Sequence, residues 1–143
     1  MKPLNSVNLE CVFCHNDVET VKHILLACPF VWRLWSNIVR WWGFQWVMPG
    51  SVDGLLQWWY GCSMSKLEKK IWMVIPMATH WSIWRHRNEC VFNGLQLEFE
   101  ALCDILKVRV ALWTKALPLQ VAAFVNDLVY NLQQVKFCLR SGG

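Results

Sequence analysis

Four side chains place the tightest constraint on this chain: Cys11, Cys14, His23 and Cys28 follow one another in a C-x2-C-x8-H-x4-C pattern. Two cysteines separated by two residues fit a tight turn that points both sulfurs at one ion, about 2.3 Å away, while the histidine and third cysteine approach from the helix that follows. Three thiolates and one imidazole suit a single tetrahedral Zn2+. Because they fill all four positions, no place is left for an activated water, and the pattern implies a structural zinc rather than a catalytic one. Metal binding in such small sites contributes folding free energy on the order of 10 kcal/mol, so the N-terminal third is expected to depend on it.

The stretch Cys11 to His15 also reads C-x-x-C-H, the attachment pattern of c-type haem. Haem attachment wants an exported chain, and Met1 to Glu10 carries no apolar signal segment. The chain is therefore expected to stay inside the cell, nuclear or cytoplasmic and not secreted, where its seven cysteines serve as metal ligands or small buried residues instead of disulfides. Cys62, Cys90, Cys103 and Cys138 are spread without pairing distances and are assigned to the core. His15 is expected to be a solvated turn residue, and Glu19 a capping residue instead of a ligand.

At 143 residues the sequence fits one domain able to bury its own core. Apolar residues form 55% of it and charged ones 17%, which excludes a disordered chain; 11 tryptophans imply that some apolar surface meets a partner. The net charge of +4 and pI near 8.7 permit nucleic acid without demanding it. The longest charge-free run, Ile71 to Trp84, falls short of the roughly 18 residues of a membrane span, so no membrane helix is expected.

Helical periodicity recurs along the chain and strand-like alternation does not, which predicts an all-α domain whose Cys3His zinc knuckle staples the first helix. Asn16 and Glu19 suggest a capping box opening that helix, with Val21, Ile24, Leu25 and Cys28 on one face. Pro29 starts a second helix to about Trp42 with Trp32, Trp35, Val39 and Trp42 as its buried stripe. Gly43 to Gly54 reads as a loop and Leu55 to Tyr60 as a short helix. Ser65 with Glu68 caps a helix from Lys66 to about Glu89, kinked at Pro76 and the most buried element, and Asn93-Gly94 turns the chain. Leu97, Ala101, Ile105, Val108 and Leu112 mark a further helix, and Val121, Val125, Leu128, Leu132, Val135 and Leu139 the last. The zinc region is expected over 1–48 and the helical remainder over 49–143, packed together as one domain.

Catalytic signatures are missing. None of Asp17, Asp53, Asp104 and Asp127 is directly beside another carboxylate, and no glycine-rich phosphate loop or nucleophile elbow occurs. No enzyme activity and no small-molecule substrate are expected. A nucleic-acid face is the alternative use of the cations: Arg85 and Arg87 lie beside Trp84, an arrangement that can hold phosphates and stacked bases, and Lys69 with Lys70 add charge. The bland reading is a helix end and a solvated helix face.

Cys11, Cys14, Glu19, His23 and Cys28, followed by Pro29, Trp32 and Trp35, resemble the zinc-binding domain found after plant reverse transcriptases, in the C-terminal region of LINE-type non-LTR retrotransposon polyproteins. Ile83-Trp84-Arg85-His86-Arg87-Asn88 and Val91-Phe92-Asn93-Gly94 resemble the segment that follows it there, and Arg109 and Trp113 are similar to the tail of such polyproteins. The resemblance implies that Cys11, Cys14, His23 and Cys28 ligate zinc and that the domain helps a polymerase engage template nucleic acid. The polymerase's paired aspartates, an endonuclease and a ribonuclease H domain are not in this sequence, so a detached terminal fragment is expected. Its partners would be RNA or DNA, or alternatively a reverse transcriptase or other protein packed on its tryptophan surface; a remnant without function is the third reading.

Overall fold

Pro29 has no backbone N–H to lose at a helix start, and the first long helix, α1, begins on it and runs Pro29–Trp42. Gly43 ends it in the left-handed conformation, φ 103°, where a side chain would strain the backbone. The computed structural model describes residues 10–46, 49–96 and 98–116. Over them the chain is helical: α2 is Val52–Gly61, α3 Lys66–Trp72, α4 Val74–Asn93 and α5 Phe99–Lys115, and no strand is present among the described residues beyond an isolated Glu10–Val18 bridge. The all-α expectation holds. The expected last helix, Leu97 and Cys138 lie outside the described residues.

Proline shapes the centre of the fold. Pro76 cannot donate to the carbonyl of Trp72, four residues earlier, and its ring crowds that carbonyl. The expected single helix is therefore two, broken at Met73 ahead of Pro76. The Trp72 carbonyl accepts instead from the Trp59 indole N–H at 2.7 Å, while the Trp72 indole donates to the Trp59 carbonyl at 2.7 Å, an orphan at the end of α2. The two rings stack at 4.0 Å and 9°. Trp35 meets Trp59 edge-on at 5.7 Å and Trp42 lies 5.4 Å from Trp72; all four indoles are fully buried. Such aromatic pairs add about 1 kcal/mol each beyond the area they bury.

Around this cluster α4 packs on α5, α3 and the segment before α1, and α1 packs on that segment and α5. One contiguous core draws residues from both sides of the expected boundary near residue 48. Ser65 caps α3 as predicted, accepting from the Glu68 N–H at 3.2 Å, and Gly94 closes α4 at φ 64°. Three expectations need correction. Helix α2 starts at Val52, earlier than Leu55, because Ser51 accepts from the Gly54 N–H at 3.0 Å and serves as its cap. Trp32 is exposed, with Leu34 and Ile38 taking the buried face of α1 beside Trp35, Val39 and Trp42. In α5 the buried stripe is Leu102, Cys103, Leu106, Val110 and Ala111, so Ile105, Val108 and Leu112 face outward. Among the described residues no helix is long and apolar enough to cross a membrane.

Candidate metal centre

Cys11 and Cys14 lie on a turn tied at both ends: the Cys11 N–H donates to the Asp17 carbonyl at 2.9 Å, and the His15 N–H donates to the Cys11 carbonyl at 3.0 Å. His15 takes the left-handed conformation, φ 56°, which tightens the turn and points its ring out to Glu10, 3.6 Å away and exposed. It stays outside the ligand cluster, as a solvated turn residue should.

The other two candidate ligands bracket a π-helical turn: His23 opens His23–Ala27 and Cys28 directly follows it. Five residues along an α-helix rotate a side chain by 500°, leaving positions 23 and 28 some 140° apart. A π turn closes through an i→i+5 bond, here the Cys28 N–H to the His23 carbonyl at 2.8 Å, and so carries both side chains toward one side. Pro29 then prevents the wide turn from continuing straight into α1, with Cys28 at ψ 133° between them. The predicted cap at Asn16 is not used; Thr20 accepts from the His23 N–H at 3.1 Å, so the helical turn begins later than expected and Val21 is exposed.

The result is a group of four ligand atoms, from Cys11, Cys14, His23 and Cys28, all within 4.8 Å of one another. Bonds of about 2.3 Å from a tetrahedral zinc to two sulfurs place those sulfurs about 3.8 Å apart, and a sulfur and an imidazole nitrogen about 3.6 Å apart. The Cys11 and Cys28 sulfurs are 3.8 Å apart, and Cys14 Sγ lies 3.3 Å from His23 Nε2. The donor set thus matches the edge of a zinc tetrahedron at Cys11–Cys28, and at Cys14–His23 it is slightly shorter than one. Without a cation, the buried pair contends for one proton: sharing it with Cys28 holds the Cys11 thiol down, to about 5, while that same contact and burial push Cys28 well up. A divalent ion held here would end the contest by binding both as thiolates.

Glu19 neither caps a helix nor joins the ligands. Its carboxylate is buried and accepts from Arg87 Nε at 2.9 Å and Nη2 at 2.7 Å across 68 positions of sequence. Arg87 also donates to Asn88 Oδ1 at 3.0 Å and lies 5.3 Å from the Trp84 ring. Beside this pair, Phe13 of the Cys turn stacks on His86 of α4 at 5.5 Å and on Phe30 of α1 at 5.0 Å. The segment that carries the candidate ligands is therefore stitched to α1 and α4 by one ion pair and one aromatic stack.

This placement corrects the expected nucleic-acid contacts. Arg87 is only 3% exposed and committed to Glu19, so it is withdrawn from any ligand. Lys69 donates from Nζ to the carbonyls of Tyr60 at 2.6 Å and Cys62 at 3.2 Å, closing the end of α2. Arg85 is exposed but paired with Glu89 at 3.3 Å. Lys70 is exposed and Trp84 half-buried. Of the remaining described cysteines, Cys103 is buried and its thiol pushed up to about 11, chiefly by burial; Cys62 and Cys90 are half-buried and pushed up for the same reason. Spacing picked out the candidate ligands, but nothing local in sequence paired Glu19 with Arg87, which is flanked by the polar residues His86 and Asn88.

Comparison with models of known protein families, with curated proteins and with solved structures returned no match.

Proposed function

We propose that this chain is a zinc-binding domain of the kind found after plant reverse transcriptases, non-catalytic in itself, whose zinc organises a frame for association with nucleic acid. The observation that carries the reading is the Cys3His cluster, with ligand atoms within 4.8 Å of one another and its Cys11–Cys28 edge at tetrahedral length. Three thiolates with one imidazole favour zinc over the hard cations, and a fully protein-ligated ion is a structural one. The family resemblance is supported by the way its two separate segments meet: Glu19, from the ligand motif, pairs with Arg87, from the Trp-and-Arg-Asn motif.

Binding of a single-stranded oligonucleotide by the zinc-loaded chain, followed across a salt series, tests the nucleic-acid half. Affinity that falls steeply with salt and disappears on chelation supports it. A second reading, a protein-interaction module, is favoured by Met77, Trp81 and Phe92, large apolar side chains left exposed on α4. Association through them is insensitive to salt, so the same series separates the two.

A further inference from the structure

Three of the arginines in the described residues are engaged within the protein: Arg87 with Glu19, Arg85 with Glu89, and Arg109, whose Nη1 donates to Ser82 Oγ at 2.6 Å. The other two, Arg33 and Arg40, are exposed on α1 and form no ion pair among the described residues. Both line the same open groove of about 500 Å³, between the outer face of α1, the chain after it and the start of α5.

The groove walls combine cations with flat rings. Trp32, Phe44, Trp46 and Phe99 contribute aromatic surface, and Ser36, Asn37 and Gln45 contribute polar groups. Two of its parts are set in advance. The Arg33 guanidinium lies over the Phe99 ring, 4.1 Å from its centroid, and the Trp46 indole donates to Ser36 Oγ at 3.2 Å. Pre-set side chains lower the ordering cost of binding. Trp32, which the apolar periodicity assigned to the core, is instead 42% exposed at this rim. Glu100 is the single acidic group of the lining.

Resting on the nucleic-acid reading above, we infer that this groove is the nucleic-acid site: a single strand lies along α1, with Arg33 and Arg40 on its phosphates and a base against Trp32. Arg33 and Arg40 stand seven residues, about 10 Å, apart along the helix, a separation suited to a run of phosphates better than to one. Rings that stack on bases, beside guanidinium groups that neutralise phosphates, are the recurrent means of holding single strands without strict sequence preference. Glu100 opposes this charge, so its neutralisation strengthens binding. The site differs from the α4 cluster that sequence alone suggested.

The test uses the whole zinc-loaded chain and a fluorescein-labelled single-stranded oligonucleotide, read by anisotropy at several salt concentrations. The expected result is binding that weakens about tenfold in the Arg33→Ala, Arg40→Ala double variant, with the salt slope reduced by about 1.4, two contacts at ~0.7 each. Glu100→Gln is expected to bind more tightly, and Arg85→Ala to bind as the parent does. Zinc content and helical circular dichroism equal to the parent's show each variant folded, and Arg40→Ala alone, which leaves the Arg33–Phe99 contact intact, repeats the measurement if the double variant is not. Oligonucleotide binding unchanged in these arginine variants overturns the inference while sparing the proposed function. No binding by the parent overturns both. Equal competition by a free mononucleotide overturns the strand in favour of a nucleotide pocket.

Discussion

The turn that carries Cys11 and Cys14 and the tryptophan cluster around Trp59 and Trp72 are held by different physics within one core. The first is short and largely irregular, and its distinguishing feature is a cluster of three cysteines and one histidine able to hold a metal ion. The second depends on burial, with Trp35, Trp42, Trp59 and Trp72 removed from solvent and their rings in contact. Spacing writes the first into the sequence, whereas composition writes the second. The seam between them, Glu19–Arg87 with Phe13–His86, is where one region can feel the state of the other.

Metal removal is the largest lever on this contrast. Chelation is expected to cost on the order of 10 kcal/mol at the ligand turn, seen by hydrogen exchange as lost protection across residues 10–28, while amides of α3 and α4 near the tryptophan cluster keep more of theirs. Uniform loss in both regions breaks the comparison. In the opposite direction, Trp72→Ala is expected to destabilise the fold by about 4 kcal/mol in urea melts, because it empties the stack on Trp59, yet folded protein should still carry its metal.

The seam comes next in size. Arg87→Met leaves the Glu19 carboxylate buried without its cation and is expected to cost about 3 kcal/mol, along with weaker zinc affinity in a competition titration. Adding Glu19→Leu to that variant should restore most of the loss, since the penalty comes from an unpaired buried charge. If Arg87→Met alone leaves stability unchanged, the two regions are not joined as described.

The smallest effect is on pH. Burial holds the imidazoles of His80 and His86 below their ordinary value of 6.5. Each is neutral in the fold and gains a proton more readily once unfolded, so its contribution is complete above pH 6.5 and is lost as the pH falls through the depressed folded value. Urea midpoints should decline below pH 6.5, and His86→Gln should flatten that decline. Acid release of metal runs in the same direction, so the parent and His86→Gln are compared at equal zinc content, which keeps Phe13 stacked on His86, and scored by tryptophan fluorescence.

Much of the fold and the ligand set was legible because local rules decided it. Pro29 at a helix start, Ser65 with Glu68 at another and Gly94 at a helix end each settle a boundary through a single backbone requirement. The α5 stripe was misplaced because the helix repeats apolar residues on two faces; the buried one includes Cys103, Ala111 and Thr114, small or polar residues that hydropathy undervalues. The π turn was hidden for another reason: a five-residue His–Cys interval fits no α-helical face, and only ligand convergence explains it. Glu19 and Arg87 were misread as a cap and a nucleic-acid contact because a pairing across 68 positions leaves no local trace.

The central claim is a Cys3His zinc centre, and metal content tests it most directly. Elemental mass analysis of the purified chain should find about one zinc per chain, and almost none in the Cys14→Ser, Cys28→Ser double variant, which should also lose N-terminal helicity. No zinc in the intact chain, or undiminished zinc in the double variant, contradicts the account.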